Sequence, residues 1–334
     1  MLQAREKYVT AIQRLGQAVR DPQVAASDAT LQAVLVLDLY EKMVHRPPQR
    51  SGPWMSHVQG AVSLWEVRRK HALGHTTRQL AYRLAVMLTA SAATTTSPVP
   101  NPFLLLHRDL DPHFDDPKWH FTTLMADVVN LRAYQRTSSM CPDEVVAKAQ
   151  KLDNRLASFE AEFPPSWKSQ RVVCLEHDPR CMESYYDVYP TYFVSQLWNA
   201  VRVMRLAMHG MVKEYGREDA STPEQSASKA VREITRSICA SLPQVVLPGA
   251  QPHNTVPFSP LQKLQCYPFF ASLYLCARVS EDYYVRDWVI YSLQYMARAG
   301  GLKAAQEVAD ILKTRPDIDF WAVYAMTGAY AFAA

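Results

Sequence analysis

Apolar positions recur along this chain at spacings of three and four far more often than they alternate, which is the period of a helix face rather than of a strand. The longest such stretch is Tyr189–Met211. Tyr189, Phe193, Leu197, Ala200, Met204 and Ala207 make one face, and Tyr192, Val194, Trp198, Val201 and Met208 cover most of the remainder. A helix that is apolar nearly all round is predicted to be buried, with its neighbours wrapped about it. Pro190 suits the first turn, where a missing N–H costs nothing. What is left is a narrow polar stripe of Ser195, Asn199, Arg202 and His209. A guanidinium inside an apolar interior needs partners. Two readings of Arg202 stay open: a tie between helices through carbonyls or a carboxylate, or a group that faces a cavity and meets a ligand.

The same periodicity predicts helices over Gln3–Val19, from Ser27 to about Val44, and over Trp54–His71 and Thr77–Ala93. Further helices are predicted over Phe121–Arg136, Pro142–Phe163, from a Thr222 cap to about Ala240, and over Leu261–Arg278, Tyr283–Ala299, Leu302–Arg315 and Trp321–Ala331. Asp21-Pro22 is read as the stop of the first helix. Proline-rich connectors fall at 97–102 and 247–260, the second long enough to cover a helix end or a pocket mouth. No internal period emerges. The expected fold is all-α: stacked antiparallel helices in one large helical domain, residues 1–334.

Composition supports that picture and narrows the function. Glycine is scarce against proline, 10 to 22, so helices punctuated by rigid loops fit better than a turn-rich sheet. No apolar run is long enough to span a bilayer and the N-terminus lacks a secretory pattern, so a soluble intracellular protein with no membrane partner is expected. The net charge of +4 is small and scattered, and the densest basic run is Arg68-Arg69-Lys70. That is not the footprint of a domain that grips a duplex by itself. None of the six cysteines stands in a C-x-x-C pair, so all six are expected to be small buried hydrophobes.

Several chemical motifs have to be weighed. His107-Arg108-Asp109-Leu110 has the look of a protein-kinase catalytic loop, but Phe114 stands where the metal-binding asparagine belongs and no glycine-rich phosphate loop is present. The surrounding HRDLDPHFDDPKWH carries metal-ligand residue types, although a solvated acidic loop is the usual meaning of such a run. His71 and His75 stand four apart without a completing carboxylate and read as surface. Asp38 interrupts an apolar helix face, where burial can raise a carboxyl pKa, or where it pairs with Arg202 or His57. No assembled catalytic triad, zincin motif or dinucleotide fingerprint is present, and no metal or cofactor is expected.

Dispersed motifs carry a family resemblance. Asp28–Glu41, DATLQAVLVLDLYE, with Trp54-Met55-Ser56-His57-Val58-Gln59-Gly60-Ala61, resembles the regulatory domain of fungal binuclear zinc-cluster transcription factors. Leu152-Asp153 with Pro164-Pro165-Ser166-Trp167, then Trp198-Asn199 with Arg202 and Arg205, then Ile238–Pro243, are similar to successive signatures of that family. Arg286–Ile290 with Gly301–Ala305 resembles its closing helices. The cysteine cluster that reads DNA in the family is missing here; only Cys174 and Cys181 show a six-residue gap. Met1 falls where the family's regulatory region is already under way, so N-terminal helices are expected to be missing.

The resemblance implies an all-helical regulatory domain in a pathway regulator, often of secondary metabolism, located in the nucleus or the cytoplasm and without direct nucleic-acid contact by this chain. The alternative is a stand-alone enzyme of cyclase or isomerase type, with Asp38 and His57 as its catalytic candidates. In either case helical layers rich in Trp and Tyr can enclose an apolar cavity with few polar groups. Trp54, His57, Trp198, Asn199, Arg202 and Tyr267 are the expected lining for a small apolar metabolite. A protein partner or a second copy of the chain is the other expected occupant.

Overall fold

The computed structural model describes residues 2–44, 52–71, 74–137, 140–174, 176–216 and 223–327. Among the described residues the fold is all-α apart from one short hairpin. It divides between Val129 and Asn130 into two compact units.

The first unit is built from α1 (Leu2–Ala18), α2 (Pro22–Ala25), α3 (Asp28–Val44), α4 (Gly52–Arg68), α5 (His75–Thr95) and α6 (Asn101–Leu110), with the start of α7 (Pro117–Thr137). Asp21 does not simply end the first helix. Its carboxylate accepts the backbone N–H groups of Gln23 and Val24 and so starts the single turn α2, with Pro22 at the position where a proline loses nothing. Ser27 then accepts the Thr30 N–H ahead of α3, as its sequence position suggests. The core is Leu31 and Val34 of α3, Ala61 and Trp65 of α4, Leu84 and Leu88 of α5, Phe103 and Leu106 of α6, and Trp119 of α7. Each set recurs at three or four residues, so each helix turns one stripe inward.

Charge ties these helices at their ends. Arg68 donates from Nε to Asp28 (2.9 Å) and from Nη2 to Thr77 (2.7 Å), which joins α3, α4 and α5. Arg69 grips Asp109 of α6 at 2.6 Å. Two of the three residues in the densest basic run are thus engaged in internal ion pairs.

The second unit contains α8 (Pro142–Ala161), strands β1 (Gln170–Val173) and β2 (Tyr185–Val188), α9 (Tyr192–Tyr215), α10 (Pro223–Ser241), α11 (Pro243–Val246), α12 (Pro260–Val279), α13 (Tyr283–Gly300), α14 (Lys303–Thr314) and α15 (Phe320–Thr327). The Thr222 cap and the final residues of the expected last helix lie outside the described residues. The apolar pattern does not predict the hairpin. Its strands pair antiparallel, Gln170 opposite Val188 and Val173 opposite Tyr185, and four residues apiece are too few for alternation to show.

Helix α9 also starts later than the apolar pattern suggests. Thr191 is its cap, accepting the Val194 N–H at 3.2 Å, so Pro190 and Tyr189 lie ahead of the helix rather than in its first turn. Its inward stripe is Val194, Leu197, Val201, Met204 and Met208, while Phe193 is 36% exposed and marks where the burial ends. Trp198 sits edge-on to Phe163 with ring centroids 4.9 Å apart, and its indole N–H donates to the Trp167 carbonyl at 3.0 Å. The sequence Phe163-Pro164-Pro165-Ser166-Trp167 therefore closes over α9 as an aromatic clasp. Trp198→Ala would remove both the ring contacts and the indole bond. The expected cost is about 3 kcal/mol, the lower end for a large aromatic truncation because the ring is only half buried, and urea unfolding would measure it.

Candidate functional site

The polar stripe of α9 is the most concentrated buried chemistry in the second unit. Glu160, near the end of α8, accepts Arg202 Nε at 3.1 Å on one oxygen and Arg205 Nη1 at 2.9 Å on the other. One helical turn and more back along α8, Asp153 accepts Arg205 Nε at 2.9 Å and lies 3.3 Å from His209 Nε2. The pairing runs antiparallel: acids at 153 and 160 face bases at 209, 205 and 202. These five side chains are only 11–17% exposed, so the charges are paired where water cannot replace a lost partner. Burial works to raise the Asp153 carboxyl, but hydrogen bonds and charge from His209 and Arg205 outweigh it and hold the group below its usual range.

Arg202 completes its fork on the Tyr189 hydroxyl at 2.6 Å and stacks its guanidinium over the Trp198 ring at 4.8 Å. Of the two readings of Arg202, the tie between helices is the one its partners describe, and the carboxylate it meets is Glu160. Asn199 donates to the Ser241 hydroxyl at 2.8 Å, joining α9 to α10. Ser195 accepts from Gln244 at 2.7 Å, and Gln244 in turn accepts the Tyr189 N–H at 3.0 Å.

The remaining expected lining residues fall elsewhere. Tyr267 lies on α12 with its ring 5.2 Å from that of Phe270. Asp38, on α3, is buried, and His57, on α4, is half-buried, both in the first unit. The Trp54 side chain lies outside the described residues. The structure thus gathers Trp198, Asn199 and Arg202 on one helix and joins them to Glu160, Tyr189 and Ser241. A hollow of about 320 Å³ opens at a different place, where α12 meets α13, bordered by Arg278, Ser280, Glu281, Tyr283, Arg286 and Pro316. Both arginines there already donate to backbone carbonyls, Arg278 to Ile318 and Arg286 to Leu312.

No family model, curated protein or solved structure matches this chain. The site therefore has to be read from its own geometry. Among the described residues no three His, Cys, Asp or Glu side chains gather as a metal site would require.

The proline-rich stretch after α11 is pinned rather than open. Asn254 donates to the carbonyls of both Gln244 and Leu247, and Gln262 donates to Val245 while its oxygen accepts Thr255 N–H. Ser259 and Gln262 form a capping box that starts α12. The loop covers a helix end, the first of the two roles its length suggested.

In the first unit the histidine-rich run is helical at its start, and the solvated acidic loop is confined to its middle, where Asp111, Asp115 and Asp116 are exposed. His107 is buried against Trp119, ring centroids 4.1 Å apart. Its Nδ1 lies 3.2 Å from Asp111 and its Nε2 3.0 Å from the Thr122 hydroxyl, while Trp119 Nε1 donates to the same Asp111 oxygen at 2.7 Å. Hydroxyl, imidazole and carboxylate stand in relay order, but Thr122 is 4% exposed and its hydroxyl is also within 2.6 Å of the Trp119 carbonyl. The group is a packing joint. His71 and His75 are exposed, as expected.

Glu160 is not among the residues that the apolar pattern singles out, and Asp153 and Arg205 stand there only as parts of motifs. The signal was there: acids seven apart on one helix and bases at 202, 205 and 209 on the next complement each other face to face. Glu160→Gln should therefore cost about 3 kcal/mol or more in urea unfolding, since it leaves two buried guanidinia short of one charge. The exposed pair Lys148–Glu144 supplies the contrast, and Glu144→Gln should change stability by less than about 0.5 kcal/mol.

A pH dependence follows from His107. Burial lowers its pKa from 6.5, and Asp111 only partly offsets that. The unfolded chain then takes up a proton that the folded protein refuses, so stability is full above about pH 6.5 and is lost as pH falls towards the folded value. The slope in that window is at most about 1.4 kcal/mol per pH unit for this one group. Asp153 acts in a lower window, below 3.8, where protonation costs it the charge-assisted bond from Arg205. Urea midpoints of wild type and His107→Gln between pH 5 and 7, the interval around the ordinary value of 6.5, should differ in slope, with the variant flatter.

Proposed function

We propose that this chain is a regulatory helical domain of transcription-factor type, acting by binding a small apolar metabolite or a protein partner, with DNA contact supplied by another chain or segment. The carrying observation is where the resembling motifs meet. Asp153 and the Trp167 carbonyl of one motif receive Arg205 and the Trp198 indole of the next, and Asn199 of that second motif donates to Ser241 of the Ile238–Pro243 motif. Motifs whose contacting residues stand 31 to 52 apart in sequence are thus one another's contacts, as a shared fold signature requires. The charge balance supports the absence of direct DNA contact, since Arg68 and Arg69 spend their charge on Asp28 and Asp109.

The regulatory reading is preferred to the enzyme reading for a chemical reason. On α9 the Arg202 guanidinium is held by Glu160 and Tyr189 and the Asn199 amide nitrogen by Ser241, which favours joining helices over acid–base work on a substrate. The reading places the protein in the nucleus or the cytoplasm, in line with the family it resembles. Fused to an unrelated DNA-binding domain, the chain should change the output of a matching reporter several-fold, and purified alone it should give no sequence-selective shift of promoter DNA at physiological salt. A selective shift by the chain alone would remove the proposal. So would conversion of a metabolite by the purified protein, followed by mass spectrometry and lost in Asp38→Asn and His57→Ala variants that still fold.

A further inference from the structure

The six cysteines do not share one environment, and the differences separate them by what an oxidant could do to each. Cys141 is exposed and Cys174 is only half-buried, so the expectation that all six are buried fails at both. Cys239 and Cys276 touch each other but are fully buried, and Cys266 is buried as well. Cys174 and Cys181 form the third class. Their Sγ atoms stand 3.3 Å apart, Cys174 is half-buried and Cys181 is 3% exposed.

Local structure explains why these two meet. Cys174 follows β1 and its N–H donates to the Ser184 carbonyl at 2.8 Å, which extends the ladder by one step. The connection then doubles back in a turn, with Cys181 N–H on the Asp178 carbonyl at 2.9 Å. Arg180 fixes that turn by gripping the Asp178 carboxylate from Nε and Nη2, at 2.9 and 2.6 Å, and reaching the Tyr295 hydroxyl of α13 at 3.2 Å. Tyr284, also on α13, donates to the Met182 carbonyl at 2.8 Å. The thiols are therefore held face to face from both sides, and a closing shift of roughly 1 Å would bring them to bonding distance.

We propose that Cys174 and Cys181 are an oxidisable pair that closes into an intramolecular disulfide when the protein meets a peroxide or a low-molecular-weight disulfide. The order of events follows from exposure. With a peroxide, the Cys174 sulfur is oxidised to a sulfenic acid while the peroxide is reduced, releasing one water. Cys181 then attacks that sulfur, the S–S bond forms, the S–O bond breaks, and the oxygen leaves with the thiol proton as a second water. With glutathione disulfide, Cys174 displaces one glutathione thiol and Cys181 displaces the other. Burial and then the neighbouring Cys174 raise the Cys181 thiol to about 12, so Cys181 is not the sulfur that reacts first, and its place 3.3 Å from Cys174 gives it the second step. The result is a clasp across the end of the hairpin that no longer depends on the hydrogen bonds from α13.

Trypsin gives a direct readout, because Arg180 lies between the two cysteines. The folded wild-type protein is treated with glutathione disulfide or hydrogen peroxide, the oxidant is removed, the protein is denatured in an alkylating agent that blocks every remaining thiol, and it is digested without reduction. Peptides 172–180 and 181–202 should appear joined, lighter by two hydrogens than their sum, and should separate on reduction. In the glutathione disulfide arm Cys141 should carry a glutathione adduct, while in both arms Cys239, Cys266 and Cys276 should be recovered carrying only the blocking group. In Cys174→Ser, Cys181 should likewise carry only the blocking group after the same treatment. Recovery of 172–180 and 181–202 as separate peptides, each with the blocking group or a glutathione adduct, would overturn the pairing. So would a Cys181 adduct formed as fast in Cys174→Ser as the link forms in wild type.

Discussion

The Glu160 carboxylate is the constraint on which the second unit depends. It stands between two guanidinia, each oxygen given to a different arginine, and both arginines come from the same face of α9. Removing charge from water is costly, and a buried pair regains that cost only when each partner is saturated. Here the saturation is achieved in series. Arg205 turns its second nitrogen to Asp153, Asp153 turns its second oxygen towards His209, and Arg202 turns outward to Tyr189 and Trp198. Sliding α8 against α9 by one turn would leave several charges unmatched together. The ladder therefore specifies register, whatever it adds to net stability.

Neutral amides do comparable work beside it. Gln244 holds the Tyr189 backbone and the Ser195 hydroxyl, its own carbonyl receives Asn254, and Gln262 ties Val245 to the loop that follows. Each buried amide makes bonds that a leucine of the same volume could not, and each would be costly if unpaired. This is why a stretch containing Pro248, Pro252, Pro257 and Pro260 can pack against helices at all. Its backbone lacks regular partners, and the side chains of Asn254 and Gln262 supply them.

Periodicity made the helices legible because burial selects one stripe per helix, and that selection is strong over three turns or more. It failed where another force set the boundary. Pro190 satisfied the rule for a first turn, yet Thr191 could accept the Val194 N–H and the helix began after it. Four-residue strands such as Gln170–Val173 left no period to read, and the bond that orients them, Arg171 to Asp187 at 3.0 Å, joins residues 16 apart. His107 was misjudged for a related reason. Its neighbours Asp109 and Asp111 point to solvent by composition, but Trp119 and Thr122, brought in by the next helix, give the imidazole a buried place.

Legibility of the candidate site was partial for a deeper reason. A buried polar residue on an apolar helix announces that it has a partner, and sequence cannot say whether the partner is a ligand or another helix. Asn199 and Arg202 were singled out on that signal, and their partners turn out to be Ser241 and Glu160. The distinguishing information lay in a second helix: Asp153 and Glu160 repeat at seven, the interval at which a helix returns to the same face. Where a complementary charge pattern of matching pitch exists elsewhere in the chain, a buried base is accounted for internally. Where none exists, the ligand reading gains weight. Applied to α9, that criterion assigns Arg202, Arg205 and His209 to the fold, and it directs the search for a ligand away from this helix.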